Sequence, residues 1–176
     1  MHILIGLITL IGAALFWYYR IRVASEAAAD VADAANDVRL TIRRLMNRRK
    51  FDVHPTESID DARLAASGLV VAIATMDAPM SQKEITALSA QAQAVFDVTE
   101  REALDIVSFG RWIAGECGTN EEAVRKLSRR VAKLAGPEAG PDMLQMIETV
   151  ATADGKALGD AENDALATVR RALSVG

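Results

Sequence analysis

The chain has 176 residues with a formal net charge of −4; 51% of it is apolar, 25% charged and only 5% aromatic. That length holds one domain, with or without an attachment, and the scarcity of aromatic residues argues against a β-sandwich or barrel and for helices packed through small side chains. A single cysteine, Cys117, excludes an intrachain disulfide framework and a multi-cysteine zinc site, and the two histidines, His2 and His54, leave little for histidine-dependent chemistry.

Residues 1–50 carry 8 basic and 4 acidic side chains, whereas 51–176 carry 12 and 20. A basic leading piece is therefore joined to an acidic domain, which would repel a phosphate backbone; no nucleic-acid partner is expected.

The first element, His2 to Tyr19, is an uninterrupted apolar run that ends in Trp17, Tyr18 and Tyr19 and is followed by Arg20 and Arg22. Its 18 residues would rise ~27 Å as a helix, about the hydrocarbon thickness of a bilayer. Aromatic rings favour the headgroup layer, and the arginine side stays in the cytoplasm. A cleaved signal peptide carries its positive charge before the apolar core, the reverse of this order. Residues 1–22 thus read as a single-pass inner-membrane anchor in the lipid bilayer, with the N-terminus out and the rest cytoplasmic.

Residues 23–56 read as an alanine-rich helical stalk and linker. Ala24, Val31, Val38 and Leu45 recur every seven residues with Ala28, Ala35 and Ile42 between them, which makes one apolar stripe. Homodimerisation through that stripe is one reading; a helix lying on its own domain is the other. Acids precede bases along the segment, which complements the helix dipole. His54-Pro55 ends it.

Residues 57–176 read as an all-α bundle of about six helices, near 58–76, 82–96, 100–117, 120–135, 141–153 and 160–174. Starts of the form S/T-x-x-E/D stand at Ser58/Asp61, Ser81/Glu84, Thr99/Glu102 and Thr119/Glu122, the pattern of a capping box. Pro79, Gly118, Gly136-Pro137 and Gly140-Pro141 mark stops. The apolar spacing predicts core faces at Met143, Met146, Ile147 and Val150, and at Leu104, Val107 and Ile113.

One segment occurs twice. Val71 to Glu84 and Glu148 to Glu162 each carry an apolar helix ending in A-T-x-D, a short loop, and a helix opening with glutamate. The second loop is one residue longer. This doubled motif in an all-helical chain resembles the TerB-like (tellurite-resistance) domain family over roughly 57–176. An apolar anchor before such a domain is also similar to the DjlA-type membrane co-chaperones. Those continue into a J domain bearing H-P-D, whereas here His54-Pro55 is followed by Thr56, so direct stimulation of an Hsp70 is not implied, and a chaperone-linked adaptor is the alternative function that this likeness implies.

The TerB resemblance implies a binding or adaptor module in stress or envelope physiology, with an unidentified protein partner, and a divalent cation held by Asp77, Glu84, Asp154 and Glu162. Hard cations take several oxygen ligands, so four converging carboxylates suit that chemistry. The competing reading is structural: Glu84 and Glu162 as cap residues, Asp154-Gly155 as a turn. Ala78 stands where the family has glycine, and the longer second loop is expected to shift the phase of Glu162.

No phosphate-binding loop, zincin motif or nucleophile elbow is present. Cys117 fits a buried small residue better than a nucleophile, and a metal-dependent hydrolase is the remote alternative. No catalytic residue is assigned. Arg125, Lys126, Arg129, Arg130 and Lys133 form a basic band at helical spacing, either a solvated face or a dock for an acidic partner or lipid.

Overall fold

The computed structural model describes residues 40–43 and 55–174. Among these residues there are helices and turns and no strand. Six α-helices follow in order: α1 (Ala62–Ala74), α2 (Gln82–Phe96), α3 (Glu100–Gly115), α4 (Asn120–Ala135), α5 (Gly140–Ala151) and α6 (Asp160–Ser174). Short 3-10 turns lie at Pro55–Ser58 and Pro137–Ala139. The expected anchor, and the stalk apart from 40–43, lie outside the described residues. Among the described residues no helix is long and apolar enough to cross a membrane.

Helix α1 is the axis. Every residue from Leu64 to Ala74 is buried, and a helix apolar on all sides can be stable only at the centre. It packs most extensively on α3 and α4, and also touches α5, α2 and α6. Small residues set these distances. A Cβ added at Gly110 of α3 would come 2.3 Å from Ser67 Oγ and 2.9 Å from the Ser67 carbonyl carbon. One added at Gly68 would come 2.6 Å from a methyl of Ile113. The buried Ser67 hydroxyl donates to the Ile106 carbonyl at 3.0 Å, so the close crossing leaves its polar atom paired.

Two ties fix α4 antiparallel to α1. At one end Asn120 Nδ2 donates to the Thr75 carbonyl at 2.7 Å. At the other the Arg130 guanidinium donates through Nε and a terminal nitrogen to the Ile59 carbonyl. Helix α4 buries Ala123, Val124, Leu127, Ser128 and Val131 and turns its charges outward. Helix α5 buries Met143, Met146, Ile147 and Val150, as its spacing predicts.

Two of the four expected capping boxes close in full, one forms only its hydroxyl half, and one is corrected. Full boxes close α2 at Ser81/Glu84 and α3 at Thr99/Glu102. Thr119 accepts from the Glu122 amide at 3.2 Å, while Glu122 itself pairs with Arg125 and Lys126. Ser58/Asp61 is not a box. Ser58 lies in the 3-10 turn, and Asp61 is itself the N-cap, accepting from the Arg63 amide at 2.9 Å. A carboxylate ion-paired to Arg63 at 2.7 Å outcompetes a serine three residues earlier as the acceptor that starts α1. The apolar reading of α3 is also corrected at one position. Leu104 is 49% exposed, because the buried face runs through Ala103, Ile106, Val107, Gly110 and Ile113. Glu102 is the most deeply placed cap acid: it is 2% exposed, and its Oε1 has no hydrogen-bond partner.

Ile42 is partly buried and packs against this core, so a side chain ahead of the expected boundary at 57 contributes to it. A fragment beginning at residue 57 should fold but melt lower than one beginning at residue 36. The loss should be about 1 kcal/mol, the scale of half-burying an isoleucine. Gly110→Ala should lower the stability by about 1–3 kcal/mol, the cost of overpacking. Adding Ser67→Ala should not restore it, because backbone atoms of Ser67 remain in the way; thermal melts of the two variants check this.

Candidate functional site

The two copies of the repeated segment make matching bonds where each loop leaves one helix and enters the next. At the end of α1 the Thr75 hydroxyl donates to the Val71 carbonyl at 2.7 Å, and at the end of α5 the Thr152 hydroxyl donates to the Glu148 carbonyl at 2.8 Å. The following amides close in parallel, Met76 to the Ile73 carbonyl and Ala153 to the Val150 carbonyl, both at 3.1 Å. At the start of α2 the Ser81 amide donates to Glu84 Oε2 at 2.6 Å; at the start of α6 the Gly159 amide donates to Glu162 Oε2 at 2.8 Å. The extra residue of the second loop is absorbed before Gly159. Glu162 therefore keeps the three-residue relation to its cap, and the expected phase shift does not occur.

The departure at Ala78 is tolerated for a similar local reason. Gly155 in the second loop has φ +92°, a left-handed conformation suited to glycine. Among the described non-glycine residues only Asp97 has positive φ, so the first loop asks for no such residue at 78.

The loops meet. Asp77, Glu84, Asp154 and Glu162 all line one pocket of about 100 Å³, with Lys156 beside them. Glu84 and Glu162 are 7% and 9% exposed, held there by their capping bonds. Asp77 is exposed at the rim. Its carboxylate reaches across to the other loop: a Cβ on Gly159 would lie 2.7 Å from Asp77 Oδ2. Asp154 Oδ1 accepts from the Lys156 amide at 2.9 Å, the aspartate turn expected of Asp154-Gly155. Its Oδ2 pairs with Lys156 Nζ at 2.7 Å.

Lys156 is the residue that sequence reasoning missed. Its ammonium is the one cation lining the pocket. Its hydrogen bond to Asp154 raises its pKa, and the charges of Glu84 and Glu162 add to that. The same bond from Lys156, helped by its backbone amide, lowers the pKa of Asp154. Both stay charged through neutral pH. The local signal was present in the sequence: a lysine two residues after a turn aspartate can bond it through both amide and ammonium.

The arrangement answers both readings of the acidic residues. The donor set is all oxygen and carries four negative charges against one positive, the chemistry a hard divalent cation requires. As placed, however, no three of the described acidic, histidine or cysteine side chains are spaced to hold a metal ion. Glu84 and Glu162 spend one oxygen each on a helix start, and Asp154 is engaged by Lys156.

The other candidates fall into place. Cys117 is buried and its Sγ contacts the Ile113 carbonyl at 3.3 Å. Burial pushes its thiol pKa up, away from the nucleophilic thiolate. Lys126, Arg129, Arg130 and Lys133 of the basic band line a separate groove with Thr56 and Glu57.

Gly159→Ala should displace the Asp77 carboxylate at little cost in stability, since the clashing atom is the end of an exposed side chain. A thermal melt close to the parent, with an altered Asp77 carboxylate signal by NMR, checks this.

Comparison with known proteins agrees with the doubled motif. The family described as tellurite resistance protein TerB matches residues 63–176. No curated protein and no solved structure matches the chain. The family match spans all six α-helices but for the first residue of α1: the chain belongs to the TerB family, whose domains are helical and generally non-catalytic.

Proposed function

We propose that this chain is a membrane-tethered TerB module that acts by binding, with the acidic loop pocket as its cation-responsive element. One observation carries the cation reading. Two sequence-repeated loops, far apart in the chain, deliver four carboxylates to a single pocket, and a lone lysine supplies the only positive charge among the lining residues. Asp77, Glu84, Asp154 and Glu162 would hold the cation, with Lys156 as the counter-ion it displaces. The ion would supply charge neutralisation between the loops; no chemical step is assigned to it. The His2–Tyr19 segment followed by Arg20 and Arg22 supports tethering with the domain on the cytoplasmic side. The module would then act by protein contact in stress or envelope physiology.

The cation reading is tested by melting the full chain in detergent with Mg²⁺, Ca²⁺ or Mn²⁺. An ion at 100-fold over its Kd adds ~2.7 kcal/mol of stability, a rise of several degrees. Asp77→Asn with Asp154→Asn should abolish the rise. Lys156→Ala should enlarge it, because the competing ammonium is gone. If neither the parent nor Lys156→Ala responds to any of the ions, the loops serve only as caps and turns.

Topology is tested separately. A reporter fused after Gly176 should be active in the cytosol and silent in the periplasm, and an active periplasmic phosphatase fusion would reverse the orientation. Lysines placed before Ile3 should weaken it by the same rule.

A further inference from the structure

The acidic pocket has an electrostatic opposite. It lies at the end of α1, with Ala74 in its wall, and is lined by four acids and one lysine. The groove of about 640 Å³ before the start of α1 is lined by Thr56, Glu57, Lys126, Arg129, Arg130 and Lys133, four cations and one acid. The two sites are separated by the 13 residues of α1, or ~20 Å of helix. The Asn120–Thr75 and Arg130–Ile59 hydrogen bonds hold α4 along that same axis.

The groove is also arranged rather than merely charged. In Lys126, Arg129, Arg130 and Lys133 the pairs 126/129, 130/133, 126/130 and 129/133 are three or four residues apart on the helix, where like charges repel one another. Arg130 is fixed through two of its nitrogens by a carbonyl, which holds the side chain without cancelling its charge. Lys126 has a carboxylate, Glu122, at 3.3 Å, whereas no ion pair is found for Arg129 or Lys133 among the described residues. An anionic surface would relieve that repulsion.

We infer that this groove docks the domain on the anionic phosphate headgroups of a phospholipid bilayer, so that the acidic pocket faces away from the membrane. The occupant is argued from charge complementarity and from the chain's own N-terminal apolar segment: on the tethered reading a bilayer is in reach of a groove at residues 56–57 when the segment 23–56 lies along the membrane surface instead of standing off it. The opposite end, with its excess of carboxylates, is repelled by the same surface, and the two forces turn the domain the same way. The choice of a bilayer as occupant and the orientation rest on the tethered reading; the anionic chemistry of the groove does not.

The test footprints lysines on the full chain by amine acetylation and mass spectrometry. Neutral phosphatidylcholine vesicles are compared with vesicles of equal parts phosphatidylcholine and phosphatidylglycerol. Lys126 and Lys133 should be protected on the anionic vesicles alone, and high salt should remove the protection. Lys83 and Lys156, at the acidic end, should react alike on both. Arg129→Glu lies on an exposed position and should abolish the protection of Lys133. Each groove cation is worth about fivefold in partitioning to an anionic surface. Equal reactivity of Lys133 on both vesicles overturns the inference. So does equal protection by inorganic phosphate without vesicles, which would mark a small-anion site. Protection that grows with protein concentration in the absence of lipid would assign the groove to the acidic end of a second copy, and overturns it too. Failure of the tether is read separately, as failure of the chain to sediment with neutral vesicles. The anionic arm still decides the groove in that case.

Discussion

Everything in this domain depends on burying α1 from every side. Its run from Leu64 to Ala74 offers no polar face to water, so five other helices have to surround it, and small residues set how closely. Where Ser67 meets Gly110 the backbones approach so nearly that a single methyl group does not fit. The serine is tolerated in that crossing because its hydroxyl reaches the Ile106 carbonyl. With the axis fixed, both of its ends become fixed points. One end leads into the acidic loop and the other into the basic groove.

The acidic pocket follows from helix termination as much as from any ligand. A chain leaving α1 or α5 passes through the same threonine back-bond and the same aspartate, and re-enters a helix through a glutamate that caps its own first turn. Two such passages side by side necessarily bring four carboxylates together. The repulsion among them is offset at one point, by Lys156 across its turn from Asp154. Gly159 has no side chain where the Asp77 carboxylate crosses from the other loop. Residues whose first duty is local thus form a charged cluster that neither loop contains alone.

Sequence legibility tracks how local each determinant is. The boxes at Ser81/Glu84 and Thr99/Glu102 depend on four consecutive residues and were readable as such, as were the stops at Pro79, Gly118 and Gly136-Pro137 and the repeat. Gly140-Pro141, expected to stop a helix, instead opens α5, because proline suits a first turn, where its missing amide would be unpaired anyway. The false box at Ser58/Asp61 failed through competition: two acceptors stood within three residues of each other, and the ion pair with Arg63 decided between them. Leu104 failed because its neighbours Ala103 and Val107 lie on the face that meets α1, and only the packing partner reveals which face that is. The convergence of Asp77 with Asp154 was inferred from family resemblance. Its geometric cause, the contact of Asp77 with Gly159, spans more than 80 residues of sequence and leaves no local trace. The phase of Glu162 was misjudged because residues were counted from the aspartate, whereas the helix counts from its cap.

The double employment of Glu84 and Glu162 links the pocket to the rest of the fold. In each residue Oε2 is bonded to a backbone amide that would otherwise be left unpaired at a helix start. A group that drew on these carboxylates from the pocket side would alter the acceptor strength that those amides feel. Its binding would thereby reach the first turns of α2 and α6 without any large movement. Helix α6 packs on α4, whose outer face carries the basic groove. The acidic end and the basic end are thus joined through packed helices. Asp77 and Lys156, both at the exposed rim, are the parts of this arrangement free to move without disturbing a cap.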